Sequence, residues 1–372
     1  MERLENRPKL EVRWLFGGEE PDFRSPQVFL CLGKRGSGKS AFLETVASHY
    51  LDEGGKVFDL FGARDGEGLA WLRSPHVKEG KKAVLLHGDL VKVRSEHETL
   101  PASKFTLSHL EWGDLFISAS PLYETPDAEF DAVNRLLDVL WSRRRWTAPV
   151  FVIVREAANL IYSRLKLRGN QQAAKAEMLY LMRESRHAGL GLGVDTLRFT
   201  AIDVDIRSLA DWLVLKNLGL FSLPDDLEWV YKYINPPAFR GLRPRHFVIL
   251  SSGGGLGLGV FGLPPWHKTE REDILWETGV EVEYPGGGQP DPVRAVGEAL
   301  RSLPPGPEPR EVAEWIREHA GMELSPEAVE TYAKKLGYRL QISLTDKGGR
   351  FQIKKALVGS EPPSQGQSVS GT

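Results

Sequence analysis

Gly33-Lys34-Arg35-Gly36-Ser37-Gly38-Lys39-Ser40 fills every fixed position of the phosphate-binding pattern G-x-x-x-x-G-K-[ST]. Its flanks supply the context that pattern needs. Val28-Phe29-Leu30-Cys31-Leu32 is a continuous apolar run suited to a buried parallel strand, and Ala41 to Tyr50 reads as the helix that follows. Glycines let the backbone turn with unusual dihedrals and approach an anion, so that successive N–H groups and the positive end of the helix face a phosphate. Residues Gly33 to Ala41 are therefore the expected nucleotide-binding segment, with Lys39 reaching the β and γ phosphates of ATP and Ser40 holding Mg²⁺. The competing reading is a glycine turn carrying a surface lysine.

A chain of 372 residues suggests about two domains and has ample sequence for a core. The formal charge of −2 gives no overall basic footprint, so contact with nucleic acid would have to come from local patches or from a ring of subunits. One cysteine, Cys31, excludes an intramolecular disulfide and points to a reducing compartment. No apolar run approaches the roughly eighteen residues of a membrane span, and Met1-Glu2-Arg3-Leu4-Glu5 lacks a signal peptide's apolar region, so a cytoplasmic location is expected. Scattered histidines and acids without metal-ligand spacing suggest no structural metal.

The expected fold is α/β, a mostly parallel P-loop NTPase sheet flanked by helices. Leu10 to Phe16 suits an edge strand, and Lys56 to Phe61 a second parallel strand after the turn at Gly54-Gly55. Short apolar runs follow at Ala83 to His87 and Leu115 to Ala119. Asp127 to Arg145 has helical spacing and ends in Arg143-Arg144-Arg145, which suits either a solvated helix C-terminus or a DNA contact. Val150 to Val154 is an apolar strand leading to Arg155-Glu156, the place where a P-loop ATPase presents one carboxylate for Mg²⁺ and one to orient the attacking water. Glu156 can fill the second role. A helix from Gln171 to His187 and strands at Gly189 to Val194, Leu213 to Leu215 and His246 to Leu250 complete the domain. Ser251 to Gly259 reads as a glycine-rich turn, with Val260 to Leu263 returning as the partner strand.

These signals divide the chain into a P-loop ATPase domain at 1–270, a Pro/Gly-rich linker with a short helix at 271–308, a small α+β winged-helix-like domain at 309–358, and a disordered tail at 359–372. Two helices, Pro309 to Ala320 and Pro326 to Leu336, precede a hairpin around Asp346-Lys347-Gly348-Gly349. Lys334, Lys335, Arg339, Lys347 and Arg350 give that unit a local basic excess, suited to DNA phosphates or to a docking protein partner.

The order of phosphate loop, Val57 to Leu60 strand with Asp59, Val150 to Glu156 strand, and Arg183-Glu184-Ser185-Arg186-His187-Ala188-Gly189 before the next strand resembles the HerA/FtsK superfamily of ring-forming, DNA-pumping ATPases. The resemblance spans about residues 25 to 265. It implies a homo-oligomer, a hexamer with nucleotide between subunits, in which Arg186, or second Arg183, reaches the neighbour's γ-phosphate. A virus-encoded or mobile-element protein of this kind would work in the host cytoplasm.

Two positions depart from the family. Arg155 stands where its first acid is expected, withdrawing carboxylate support from Mg²⁺ and adding positive charge if it points inward. Leu197 stands at the polar sensor, leaving Thr196 or Asp195 as the polar residues of that strand. The expected function is an oligomeric Mg²⁺-ATP-dependent DNA translocase or packaging motor. The alternative is a weakly or non-hydrolysing nucleotide-binding module that regulates assembly and binds DNA or protein through its C-terminal domain. Asp59, Asp65 and Glu67, close to the strand ends, are further site candidates.

Overall fold

The computed structural model describes residues 7–61, 65–142, 148–157, 160, 169–197, 208–268, 273–285, 292–320, 324–336, 338–347 and 350–359. It divides into two compact units, Met1–Glu283 and Tyr284–Thr372. No helix among the described residues is long and apolar enough to cross a membrane.

The first unit is built on an eleven-stranded sheet. Its strands are β1 (Leu10–Phe16), β2 (Val28–Leu32), β3 (Lys56–Phe61), β4 (Ala83–His87), β6 (Glu98–Pro101), β7 (Leu115–Ile117), β8 (Val150–Val154), β9 (Leu190–Thr196), β10 (Trp212–Leu215), β11 (His246–Ser251) and β12 (Leu256–Phe261). The spatial order is β1-β12-β11-β10-β2-β9-β8-β3-β7-β4-β6. From β10 to β6 all pairings are parallel; β10, β11, β12 and β1 are joined antiparallel. This is the α/β arrangement of a P-loop NTPase. The central strands β2 and β8 are buried at every residue, as their unbroken apolar runs require of strands covered on both faces.

Helix α1 (Lys39–Asp52) follows β2 and is buried along most of its length, with Phe42, Val46 and Tyr50 in the core. Helices α2 (Pro126–Ser142) and α3 (Gly169–Ala188) pack on each other ahead of β8 and β9 respectively. Cys31 is a buried core residue, its thiol pushed up to about 12 by burial.

The glycine-rich hairpin differs from expectation. Its turn is Ser252 to Gly255, and the stretch Leu256–Phe261 is already strand β12, pairing with β11 and β1. Gly255 is required by close approach, since a Cβ there would lie 1.7 Å from the Gly17 carbonyl oxygen. Glycine alternation along β12 thus lets neighbouring backbone and the rings of Trp14 and Phe247 fill the space.

The segment expected as linker is also structured. Helix Ile274–Glu277 and strand β13 (Glu281–Glu283) belong to the first unit, β13 pairing antiparallel with β5 (Lys92–Arg94). The second unit holds α4 (Pro292–Ser302), α5 (Pro309–Ala320), α6 (Pro326–Lys335) and the hairpin β14 (Tyr338–Lys347) and β15 (Arg350–Gly359). Ala295, Val296 and Ala299 of α4 share a core with Val312, Ile316, Val329, Ala333 and Leu357. The short helix expected in this Pro/Gly-rich segment is α4, whose apolar positions recur at helical spacing and pack into that core. Ser325 caps α6 by accepting the Ala328 N–H at 3.2 Å, with Pro326 in its first turn. The arginine run at 143–145 and residues 360–372 of the tail lie outside the described residues.

Candidate functional site

The phosphate loop leaves the carboxyl end of β2 and is held between the ends of the strands on either side. The Gly33 N–H donates to the Thr196 carbonyl at 3.2 Å, and the Lys34 N–H to the Asn217 carbonyl at 2.8 Å. Gly36 and Gly38 have φ of 69° and 82°, which only glycine adopts without cost, and α1 begins immediately afterwards. A Cβ on Gly38 would come within 2.5 Å of the Pro244 carbonyl oxygen. The loop is therefore a cradle of main chain. Lys39 is buried, its ammonium donating to the Lys34 carbonyl at 3.3 Å, and the hydroxyl of Ser37 is buried with no hydrogen-bond partner among the described residues. An orphaned donor beside a helix N-terminus is what a phosphate oxygen would satisfy.

Residues at the end of β10 fasten a second segment to this loop. Lys216 is fully buried and donates to the Pro244 carbonyl at 2.6 Å, while the Asn217 amide donates to the Arg240 carbonyl at 2.7 Å. Burial lowers the Lys216 ammonium to about 8. Neither residue belonged to a recognisable motif.

The end of β8 departs most from expectation. Glu156 is exposed, and its φ of 46° makes it the non-glycine residue with left-handed backbone among those described. Its N–H donates to Asp195 Oδ1 at 2.6 Å, and Ser40 Oγ donates to Asp195 Oδ2 at 3.1 Å. Asp195 lies near the end of β9, between the phosphate-loop strand and β8, and is 1% exposed. One carboxylate thus joins the two residues expected to handle metal and water. The signal in the sequence was a lone acid in the apolar strand Leu190–Thr196.

Arg155 is turned into a buried acidic cluster. Its guanidinium contacts Asp59 at 2.6 Å, Glu44 at 3.0 Å and Glu67 at 3.2 Å. Burial opposes the charge, but Asp59 and Glu44 outweigh it and keep the guanidinium protonated well above its ordinary range. Burial likewise pushes the Asp59 and Glu67 carboxyls up, Arg155 only partly offsetting it. Burial works against ionised Glu44 too, yet His267 at 2.8 Å and Arg155 hold its carboxyl below the usual range. Asp59 and Glu67 are thereby committed to Arg155, and Asp65 pairs with Lys268 at 3.3 Å.

The other sequence-derived candidates are dispersed. Arg183 is exposed on α3; Arg186 lies on the same helix, with its side chain outside those described. Thr196 is buried, while Leu197 is 47% exposed. In the second unit Lys334 and Arg339 are exposed, on α6 and β14. Lys347 and Arg350 are register partners in the hairpin; their side chains and that of Lys335 lie outside those described.

No protein-family model matches the chain, and no curated protein matches it. Among solved structures it is similar to the genome packaging NTPase B204 from Sulfolobus turreted icosahedral virus 2, in complex with ATP-gammaS, at 17% identity over 65% of this chain and 97% of that one, with a TM-score of 0.31. It is similar to the pCW3 conjugation coupling protein TcpA, monomer form with ATPgS, at 13% identity over 68% and 65% of the two chains, with a TM-score of 0.38. It is also similar to Thermomonospora curvata EccC, ATPases 2 and 3, in complex with a signal sequence peptide, at 12% identity over 64% and 37%, with a TM-score of 0.35. The likeness is partial, and the site assignments rest on this chain's own geometry.

Proposed function

We propose that the protein is a Mg²⁺-ATP-dependent motor ATPase of the HerA/FtsK kind, acting on DNA as an oligomer. The observation that carries this reading is the phosphate loop itself. Two left-handed glycines close a main-chain cradle over buried Lys39 at the start of α1, with an orphaned Ser37 hydroxyl inside it. The site fits the metal as well, because the Ser40 hydroxyl is a hard oxygen of the kind Mg²⁺ favours and the Asp195 carboxylate stands behind it as hydrogen-bond acceptor.

Lys39 and the loop N–H groups would bind and orient the phosphates, and Ser40 would hold the metal. Bound Mg²⁺ would neutralise charge on the phosphate oxygens. Exposed Glu156 would orient the attacking water. An arginine from a neighbouring subunit, Arg186 first and Arg183 second, would meet the charge that develops in the transition state. The second unit, with Lys334, Lys335, Arg339, Lys347 and Arg350, would engage DNA or a protein partner. The non-hydrolysing alternative draws on the acid missing at Arg155 and on the positive charge of its side chain; the pairing of that side chain with Asp59, Glu44 and Glu67 speaks against the second ground and leaves the first to the assay below.

ATP hydrolysis with and without double-stranded DNA, together with solution mass, tests the reading. Wild-type protein is expected to hydrolyse ATP faster with DNA, as an oligomer. Lys39→Ala should lose nucleotide binding, and Glu156→Gln should keep binding but lose turnover by at least about 100-fold, the scale of a missing general base. Tight ATP binding without turnover in the wild type would select the binding module. Full activity in Lys39→Ala would refute the site.

A further inference from the structure

We propose that Asp195, on β9, supplies the carboxylate that orders the metal-binding hydroxyl of Ser40 while fixing the backbone of Glu156, a task relocated from the arginine-bearing end of β8. The proposal rests on the nucleotide-binding reading of the phosphate loop and extends it to a residue on a different strand.

The sheet topology makes the relocation geometrically simple. β9 pairs with β2 on one side and β8 on the other, with Cys31 opposite Asp195 and Val154 opposite Val194. A side chain at the carboxyl end of β9 can therefore reach the start of α1 and the residues following β8 together. Ser40 and Glu44 are four residues apart and lie on one face of α1. Ser40 meets Asp195 at 3.1 Å and Glu44, one turn later, meets Arg155 at 3.0 Å. The polar groups are thus sorted along the helix. An acid faces the hydroxyl at the phosphate loop, and the arginine is consumed one turn deeper by an acid of its own.

Both oxygens of Asp195 are used, one for each site element, and the residue is almost wholly buried. A buried carboxylate is costly unless it is hydrogen-bonded, and here each of its oxygens accepts one donor. What a carboxylate adds is negative charge behind a hydroxyl. A serine hydroxyl whose proton points at an anion turns its lone pairs away from that anion, toward a cation bound in front of it. Carboxylates that orient a metal ligand commonly change metal affinity by about 10–100-fold when altered. The second bond has its own consequence. The Glu156 backbone is held in a left-handed conformation by Asp195 from one side and by the anchored side chain of its neighbour Arg155 from the other. Asp195 is in this sense a positioning residue, acting through Ser40 and Glu156.

ATP binding measured across a Mg²⁺ titration and in EDTA, on the full-length protein, tests the proposal. Asp195→Asn, close to isosteric, is expected to bind ATP in EDTA within about twofold of wild type, while the Mg²⁺ concentration for half-maximal tightening rises about 10-fold or more. Ser40→Ala should give the same loss, and the double variant should lose less than about twofold beyond either single one, because the two residues act as a unit. Asp195→Ser provides a second, smaller neutral variant, and thermal melts establish that the variants compared are folded. Should Asp195→Asn and Asp195→Ser keep the wild-type Mg²⁺ dependence, or lose ATP equally with and without Mg²⁺, the proposal is overturned. If Lys39→Ala binds ATP as wild type does, the nucleotide-site reading itself fails, and that failure is separate from the behaviour of Asp195.

Discussion

Arg155 carries a full charge in a position with no exposed surface, and three carboxylates make that tolerable. Its value to stability lies less in attraction than in what its absence would leave behind. Replacing it with methionine strands Asp59, Glu44 and Glu67 around an apolar side chain, and breaking a buried pair from one side typically costs about 3–5 kcal/mol. Denaturant titration of Arg155→Met should show a loss of that order. Arg155→Asp, which restores an acid to the end of β8, should be more destabilising still, because it adds a fourth carboxylate to the cluster. An unchanged midpoint in either variant would mean that the cluster is not the charge-balanced unit described here. The strand position alone therefore misleads: an acid placed there now would face Glu44 and Asp59.

At the scale of elements, the phosphate loop is fixed by the strands beside it. β9 accepts the Gly33 N–H through Thr196, and the residues after β10 accept the Lys34 N–H while tying down residues 240–244. Lys216 is the buried charge in this staple, lowered by burial to about 8 from an ordinary value of 10.5. Since its folded value lies below its unfolded one, the folded state binds fewer protons between these values, and stability rises with pH across that window. The stabilising contribution is complete above the unfolded value and is lost as pH falls through the folded one. Lys216→Met should abolish this part of the pH dependence. The measurement is the difference in unfolding free energy between wild type and variant at pH 7, 9 and 10.5; a difference that stays constant across the series would show that Lys216 is not the group responsible.

At the scale of the whole molecule, a chain with a net charge of −2 can bind DNA only through local excess. The second unit has its own core and exposes Lys334 and Arg339. If this unit contacts phosphates, Lys334→Ala and Arg339→Ala should each weaken binding to double-stranded DNA of any sequence and reduce the salt slope by about one. ATP hydrolysis in the absence of DNA should not change. Unaltered DNA affinity in both would move the contact elsewhere and leave the basic unit as a protein-docking module.

The phosphate loop, the apolar strands around it and the α/β class were legible because their determinants are local. Eight consecutive residues specify the loop, and a five-residue apolar run specifies a strand buried on both faces. The hairpin β14–β15 was legible for the same reason, a turn signal between alternating segments. Residues 256–259 were misread as turn, and the helix at 292–302 was expected but not the core it shares with the helices after it, because glycine and proline mark a backbone's local freedom, and only packing decides whether that freedom becomes a turn, a close-packed strand or the boundary of a helix. The partners of the charged groups lay further out of reach. Ser40 and Asp195 are 155 residues apart, and Arg155 and Asp59 are 96 apart. Parallel strands are joined by crossovers, so the side chains that meet are set by strand order and register, which no local pattern records. The sequence by itself determined a glycine-rich loop at Gly33 to Ser40 between a buried strand and a helix; which carboxylate stands behind Ser40, and where the charge of Arg155 goes, was decided by the order β2-β9-β8-β3 in the folded sheet.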